Sequence, residues 1–443
     1  MKYLKKEIAI VKKDLRTKLV SRKIKKPNPF LMFIIMRVLG ILNKLYKVKF
    51  NYDYNLKDIK KGPTILLASH ASRFEFIYMI YGFKHNDINI VCGYQNIIKK
   101  GLYNLFIKLG IISKYLYQPD IACMKNILKV LKRNGTVGIF PEGIQSTSGS
   151  THPINPATVQ FIKRSNANIV VATSQGAYLA TNRYSKDRKK GYIGVNYSLV
   201  LTPDKLDELS DEQIYNLLLE KIRYNDFAYN KVARNKYIGK KPNAFGIDKI
   251  LYKCPDCKNE HTLNIDNDTI ICKHCGFKVR VNEYYDLVGI KYNNLPKDID
   301  EWYKWQRRCV AKEIIKDEFE LTFSGSINTL RLDKLRKEPK NRKILSIGQV
   351  SLTNKGLFFK GTLNSQIVEF SFKAKSIYSL TLSTKGYLEF YCDNDYFMII
   401  PDDPSQCLIK WTLASEEIHN LYDEKWKAAC ADVYDYNKGE MYE

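Results

Sequence analysis

Thr64 to Glu75 reads TILLASHASRFE. Thr64 to Leu67 have strand-forming character and deliver His70 to the end of a buried strand. Ser72 and the apolar and aromatic run Phe74 to Phe83 then predict a helix that starts at once. On one helix, residues five apart lie roughly 140° apart, so His70 and Glu75 meet only if His70 precedes the helix and folds back over it. In that arrangement Glu75 accepts from one ring nitrogen, fixes the tautomer and leaves the other nitrogen to take a proton. A plainer reading stands beside it. Ser72-x-x-Glu75 fits a capping box, in which both side chains only satisfy the helix's first-turn N–H groups.

A second apolar run, Thr136 to Phe140, leads into Pro141, Glu142, Gly143, Ile144, Gln145, Ser146 and Thr147. Together, SHASRFE and FPEGIQS resemble motifs one and three of the glycerolipid acyltransferases that acylate lysophosphatidic acid, N-H-x-S-x-x-D followed by F-P-E-G-x-R-S. The resemblance covers about the first half of the chain. It implies His70 and Glu75 as the catalytic pair, with Glu142, Gly143 and Ser146 holding the acceptor's head group. Ser72, Arg73 and Gln145 complete the substrate-binding set. Glu142 also reads as a plain acidic turn residue after Pro141.

Two positions depart from that pattern. Glu75 is one methylene longer than the family's Asp, and Gln145 stands where the family has Arg, so it brings no charge to a phosphate. Arg73, Lys99, Lys100 and Lys108 are the candidate replacements for the missing cation. A strand at Ile169 to Thr173, followed by Ser174, Gln175 and Gly176, resembles the family's fourth motif, although a glycine there also reads as a turn.

The resemblance implies a direct reaction. Neutral His70 removes a proton from a glycerol hydroxyl as that oxygen attacks an acyl thioester, carried by coenzyme A or acyl carrier protein. No enzyme nucleophile is required.

The chain has 443 residues, and Lys plus Arg exceed Asp plus Glu by 72 − 46 = 26. Such an excess calls for an anionic partner: a membrane, a nucleic acid or an acidic substrate. The first 26 residues hold eleven Lys or Arg against two acids. With Leu4, Ile8, Val11, Leu15 and Leu19 at helical spacing, this segment predicts a basic amphipathic helix ended by Pro27 and Pro29. Phe30 to Tyr46 (FLMFIIMRVLGILNKLY) is the most apolar segment. It interrupts itself with Arg37 and falls short of the about 20 apolar residues that a spanning helix needs. Lying in one leaflet fits better than crossing, and a core helix is the plainer alternative. The expected location is the cytoplasmic face of a membrane, monotopic or peripheral, with anionic lipids as partners.

From Lys47 to about Lys240 strands and helices alternate as an α/β domain requires. Strands are expected at Lys47–Tyr52, Thr64–Ala68, Ile88–Cys92, Thr136–Phe140, Asn168–Thr173 and Gly191–Leu201. Helices are expected at Phe74–Phe83, Asn96–Gly110, Ile121–Lys132, Asn155–Ser165 and Ser210–Tyr224.

Cys254-Pro-Asp-Cys257 and Cys272-Lys-His-Cys275 are 14 residues apart. Two such knuckles provide four thiolates for a closed, structural zinc. Ten Cys with no secretory signal peptide fit a reducing interior, where thiols bind metal. His261 and His274 are surplus to that shell and read as surface residues.

Beyond Tyr284 to Arg308 the chain is rich in strands: Phe319–Phe323, Ser346–Leu352, Gly356–Gly361, Ile367–Phe372, Ile377–Leu382, Tyr387–Cys392 and Tyr396–Ile400. A closing helix is expected at Ser405–Tyr422. This order resembles a pleckstrin-homology-like barrel, with Lys334 to Arg342 either touching anionic lipid or forming a solvated loop.

The expected architecture is therefore an α/β acyltransferase-type mixed sheet flanked by helices, then a zinc ribbon and a β-rich pleckstrin-homology-like domain. Its blocks are 1–47 for membrane-associating helices, 48–245 for the acyltransferase domain, 246–290 for the ribbon and 310–425 for the β-rich domain. The expected activity is transfer of an acyl group to a lysophospholipid such as 1-acylglycerol 3-phosphate. A catalytically silent lipid-binding scaffold is the alternative. A nucleic-acid-binding ribbon protein is a weaker one, because the chain lacks helix-turn-helix and ribonucleoprotein motifs and its densest charge adjoins its most apolar segment.

Overall fold

The structure is a computed structural model and describes residues 15–55, 59, 62–83, 87–99, 101–116, 120–333, 337–393 and 395–437. The fold is of the expected class, a mixed α/β sheet followed by a cysteine ribbon and a second, antiparallel sheet. The chain forms two compact units that interleave in sequence. One holds Lys25–Val91, Ile127–Gln306 and Ala428–Glu443; the other holds Met1–Ile24, Cys92–Asn126 and Arg307–Lys427. The linear blocks expected above are thus cut at Val91 and at Asn126, where the chain leaves the first unit and returns to it.

In the first unit, β1 (Val48–Tyr52), β2 (Thr64–Ala68), β3 (Ile88–Gly93), β5 (Thr136–Ile139), β6 (Asn168–Gln175) and β7 (Ile193–Leu201) run in the order β1-β7-β6-β2-β5-β3; β4 (Ile112–Lys114) is a short strand in the stretch between Cys92 and Asn126. The pairs β1·β7, β6·β2, β2·β5 and β5·β3 are parallel, and β6·β7 is antiparallel. β2 lies inside the sheet, so it reads as a continuous apolar run and not as an alternation. Ile65, Leu66 and Leu67 are at most 2% exposed. Burying each of these side chains contributes about 1.5–3 kcal/mol.

Helix α1 (Pro29–Leu45) starts with Pro29 in its first turn, and Asn28 caps it by accepting from the Leu31 N–H at 2.9 Å. α2 (Glu75–Phe83) follows β2 after a tight turn. Gly40 lets α1 approach α2 closely, since a Cβ there would meet the Tyr81 ring at 3.2 Å. α3 (Ala157–Ser165) precedes β6, and α4 (Asp211–Ile222) is opened by a capping box from Ser210 and Gln213. The expected single helix at Asn96–Gly110 is two short ones, Tyr94–Lys99 and Tyr103–Lys108, broken near Gly101, whose φ is +64°.

Of the expected basic amphipathic helix, Leu15–Ser21 is helical; Leu4, Ile8 and Val11 lie outside the described residues. No helix among the described residues is long and apolar enough to cross a membrane.

The ribbon is a four-stranded antiparallel sheet, β8 (Leu263–Asp266), β9 (Thr269–Cys272), β10 (Lys278–Val281) and β11 (Leu287–Lys291). It is fixed within the first unit by specific bonds. Trp302 donates its indole N–H to the Lys253 carbonyl at 2.9 Å, and the Tyr285 hydroxyl donates to the Leu179 carbonyl at 3.1 Å.

In the second unit, β12 (Glu320–Leu330), β13 (Arg342–Thr353), β14 (Gly356–Leu363), β15 (Gln366–Lys373), β16 (Thr381–Leu382), β17 (Leu388–Cys392) and β18 (Asp395–Pro401) form one sheet in the order β15-β14-β13-β12-β18-β17-β16. Seven strands and a closing helix, Ile409–Asn420, agree with the order expected. Part of the expected strand Ile377–Leu382 is unpaired: a 3-10 turn at Ala374–Ser376 leads into it, and only Thr381–Leu382 pair as a strand.

Candidate active site

In an open α/β sheet the crevice lies outside the carboxyl ends of the parallel strands. β6, β2 and β5 are adjacent and parallel, and each ends in one of the stretches singled out above. Ser69 and His70 follow β2, Pro141 to Thr147 follow β5, and Ser174 and Gln175 close β6.

Two backbone links join the first two stretches. The His70 N–H donates to Glu142 Oε1 at 2.6 Å, and the Ser146 N–H donates to the His70 carbonyl at 2.8 Å. Phe140 stacks on the imidazole with ring centroids 4.4 Å apart and planes at 26°. The histidine is thus held from both sides of its own peptide and across one face of its ring.

Glu75 opens α2 and points back under His70. Its Oε2 lies 3.6 Å from His70 Nδ1, a contact longer than a hydrogen bond. The same oxygen accepts from the Ser72 N–H at 3.1 Å, so half of the capping box is present alongside the catalytic approach. Ser72 Oγ accepts instead from the Phe74 N–H at 3.2 Å. Glu75 Oε1 accepts from Ser69 Oγ at 3.0 Å and from Ser174 Oγ, and the Ser174 N–H donates to Ser69 Oγ at 3.1 Å. The extra methylene of Glu75 therefore carries the carboxylate to a pair of serines from two different strands.

Electrostatics keep the ring neutral. Its side chain is 27% exposed, which leaves an edge open to a hydroxyl. Burial of the rest, and then the nearby Arg183 cation, pull its pKa down to about 3. Burial pushes Glu75 up to about 8 against its hydrogen bonds from Ser174, Ser72 and Ser69. Burial likewise pushes Glu142 up to about 8, against the N–H groups of His152 and His70.

The remaining expected residues divide by what they touch. Glu142 is 3% exposed and also accepts from the His152 N–H at 2.8 Å, so both oxygens tie the chain together. Ser146 is fully buried, donating to the Ser150 carbonyl at 2.7 Å and accepting from the Gly149 N–H at 3.0 Å. Ser72 is 1% exposed. These three shape the loops. Gly143 is exposed at φ +71°, and Gln145 and Arg73 are half-buried. Gly176 makes a turn at φ +78°, where a Cβ would meet the Tyr192 carbonyl at 2.3 Å.

Among the replacement cations, Lys99 is committed in the other unit to Glu389 at 2.7 Å and to the Tyr396 hydroxyl at 3.1 Å. Lys108 belongs to that other unit too, and Lys100 lies outside the described residues. Arg183, unmarked by any motif, donates from Nη1 to the Gln145 carbonyl at 3.4 Å. Arg73 and Arg188 face the Phe74 ring at 5.6 and 5.2 Å. Ser69 and Ser174 also escape a reading of the sequence as a pair, since no local spacing connects positions 105 residues apart.

Residues 47–174 match the acyltransferase family model. They are an acyltransferase domain. The match takes in the ends of β2 and β5 and reaches Ser174 in β6, where the described geometry gathers. The chain is also similar to a crystal structure of the 1-acyl-sn-glycerophosphate (LPA) acyltransferase PlsC from Thermotoga maritima. The identity is 15% and the TM-score 0.34, covering 48% of this chain and 92% of that one. None of the curated proteins matches the chain.

Downstream of the acyltransferase domain, residues 248–281 match a zinc-ribbon family model described as the DNA-directed RNA polymerase 7 kDa subunit. The sulfurs of Cys254, Cys257, Cys272 and Cys275 all lie within 4.8 Å of one another. The pairs Cys254–Cys275 and Cys257–Cys272 are 3.7 and 3.8 Å apart. Tetrahedral zinc with Zn–S bonds of about 2.3 Å sets its sulfurs about 3.8 Å apart, so these four fit the ion. His261 and His274 are exposed, outside the thiol set, as expected.

Proposed function

We propose that this chain moves a fatty acyl group from a thioester donor, acyl-CoA or acyl-acyl carrier protein, to the free hydroxyl of a lysophospholipid at a membrane surface. The observation that carries the reading is His70, neutral and with one edge open at the end of β2, backed by Glu75 and clasped by the loop after β5. Neutral His70 takes the proton of the acceptor hydroxyl while that oxygen attacks the thioester carbonyl. The C–S bond then breaks, and the imidazolium returns the proton to the departing thiolate. General-base help of this kind is worth about 10²–10⁴-fold in rate. Glu75, with Oε2 3.6 Å from Nδ1, orients the ring.

The membrane part of the reading rests on α1. Phe30, Phe33, Val38, Ile41 and Leu45 recur at helical spacing and are all at least 50% exposed, while Met32 and Leu39 face the protein. An apolar face beside a strongly basic sequence suits an anionic leaflet, the cytoplasmic one. The zinc-held ribbon buttresses the catalytic unit. The seven strands and closing helix of the second unit support the pleckstrin-homology-like reading.

A test is the acylation of lysophosphatidic acid by purified full-length protein with long-chain acyl-CoA, followed by mass spectrometry. Product from the natural chain and none from His70→Ala supports the proposal; equal turnover by both overturns it. One observation favours a second reading. The 3.6 Å gap between His70 and a Glu75 already occupied by two serines suits a fold that binds lipid without turning it over. Anion-dependent vesicle binding with no product from any acceptor would select it.

A further inference from the structure

The sequence puts Gln145 where the related motif has a cation, yet the crevice is not short of positive charge. Arg183 reaches it from the segment that follows β6. Its Nη1 donates to the carbonyl of Gln145 itself, 38 positions away, at 3.4 Å. Its backbone is held in register with the loop after β5. The neighbouring Tyr184 is buried and its hydroxyl donates to the Thr147 carbonyl, as does the Tyr178 hydroxyl at 2.8 Å. On the other flank, Asn182 Oδ1 accepts from the Ser185 N–H at 2.9 Å. Both flanks of Arg183 are thus fixed, and its guanidinium lies against the turn that carries Gln145.

Two more guanidinium groups stand close by. Arg73, three residues after His70, and Arg188 both face the Phe74 ring, and the Nε atoms of both are buried with no hydrogen-bond partner among the described residues. The Gln145 Nε2 is in the same condition. Burial drives Glu75 and Glu142 toward their neutral forms, and the ionised Asp187 is paired with Lys189 at 3.3 Å, so these acids leave the guanidinium charge in place. A dianionic, oxygen-rich group matches such a set, since guanidinium pairs with phosphate oxygens in a two-pronged geometry.

We infer that Arg183 is the residue that selects a phosphate-bearing acceptor, supplying from the β6 side the cation that position 145 lacks. This rests on the acyl-transfer reading above and assigns its head-group specificity to one residue. Arg183 touches the acceptor's phosphate, while Gln145 positions Arg183 through its carbonyl.

The experiment compares kcat/KM for lysophosphatidic acid with that for a monoacylglycerol of the same chain, using full-length protein. In Arg183→Ala the ratio of the two should fall roughly 10- to 100-fold, the size expected when a charge-assisted hydrogen bond is lost. Arg183→Lys should recover part of it. A ratio that stays within about twofold of the natural one overturns the inference, whatever happens to the absolute rates. Binding is read separately in a His70→Ala background, by titrating a short-chain lysophosphatidic acid with and without Arg183→Ala. A dissociation constant weakened roughly 10- to 100-fold by the second change supports the inference even if no acyl transfer is ever detected, so the two proposals fail independently. Displacement of that lipid by equimolar inorganic phosphate would assign a free-phosphate site and overturn the head-group assignment.

Discussion

His70 Nδ1 stands 3.6 Å above Glu75 Oε2, while Glu75 Oε1 is held by Ser69 and Ser174 from the ends of two adjacent strands. The carboxylate is therefore anchored to the sheet before it is offered to the imidazole. A base positioned in this way owes its orientation to the strands beneath it more than to its own helix.

Shortening that carboxylate should not help, even though it restores the residue usual in the related motif. In Glu75→Asp the group recedes from both serines, and a misplacement of about 1 Å costs on the order of 10²-fold in rate. The expected result is kcat lowered by that order with KM little changed, read from initial rates.

The pH profile follows from the lowered pKa of His70. A base is active when deprotonated, and a group whose pKa is about 3 stays deprotonated at every pH above about 4. With an uncharged lysolipid acceptor, whose head group does not titrate in this range, kcat/KM should hold level as pH falls from 7 to 5. A tenfold loss centred near pH 6.5 would show an ordinary imidazole and contradict the described burial.

Glu142 and His70 should separate stability from chemistry. Glu142→Ala leaves the buried N–H groups of His70 and His152 without an acceptor, at a cost of roughly 2–4 kcal/mol. Its melting temperature should drop by several degrees along with activity. His70→Ala should lose activity and keep its melting temperature to within a degree or two.

Removing the metal tests the ribbon. Elemental analysis should find one zinc per chain in the natural protein and much less than one in Cys272→Ser. Stripping with a chelator should lower the melting temperature, because the metal's binding energy is part of the ribbon's folding energy. Unchanged melting after complete zinc loss would show that the four thiols hold together without it.

The apolar face of α1 gives a vesicle-binding prediction. Replacing Phe33 and Ile41 by Asp removes two exposed large side chains, each worth about 1.5–3 kcal/mol when buried in lipid. Partition onto anionic vesicles should fall by at least 100-fold in a sedimentation assay, with the protein still folded.

Much of this is legible along the chain, for a physical reason in each case. β2 announces itself because a strand buried on both faces has no need to alternate, and α1 because its length and composition leave few other uses. The two Cys-x-x-Cys knuckles need only spacing. The helix over Ile299–Glu313 escapes because its Trp302 and Trp305 read as an aromatic stretch, and their burial depends on the ribbon packed against them. Asn96–Gly110 reads as one helix because a single Gly is not enough, in sequence, to decide whether a helix ends or continues.

The sequence by itself determined where His70, the loop after β5 and the metal-binding thiols lie, because each depends on neighbours within a few residues. Only the tertiary structure decided that Ser69 meets Ser174, that Glu142 is consumed in clasping His70, and that Arg183 comes to rest on Gln145. Those contacts join residues 38 to 105 positions apart. The order in which strands lie side by side fixes them, and no local pattern of side chains encodes that order.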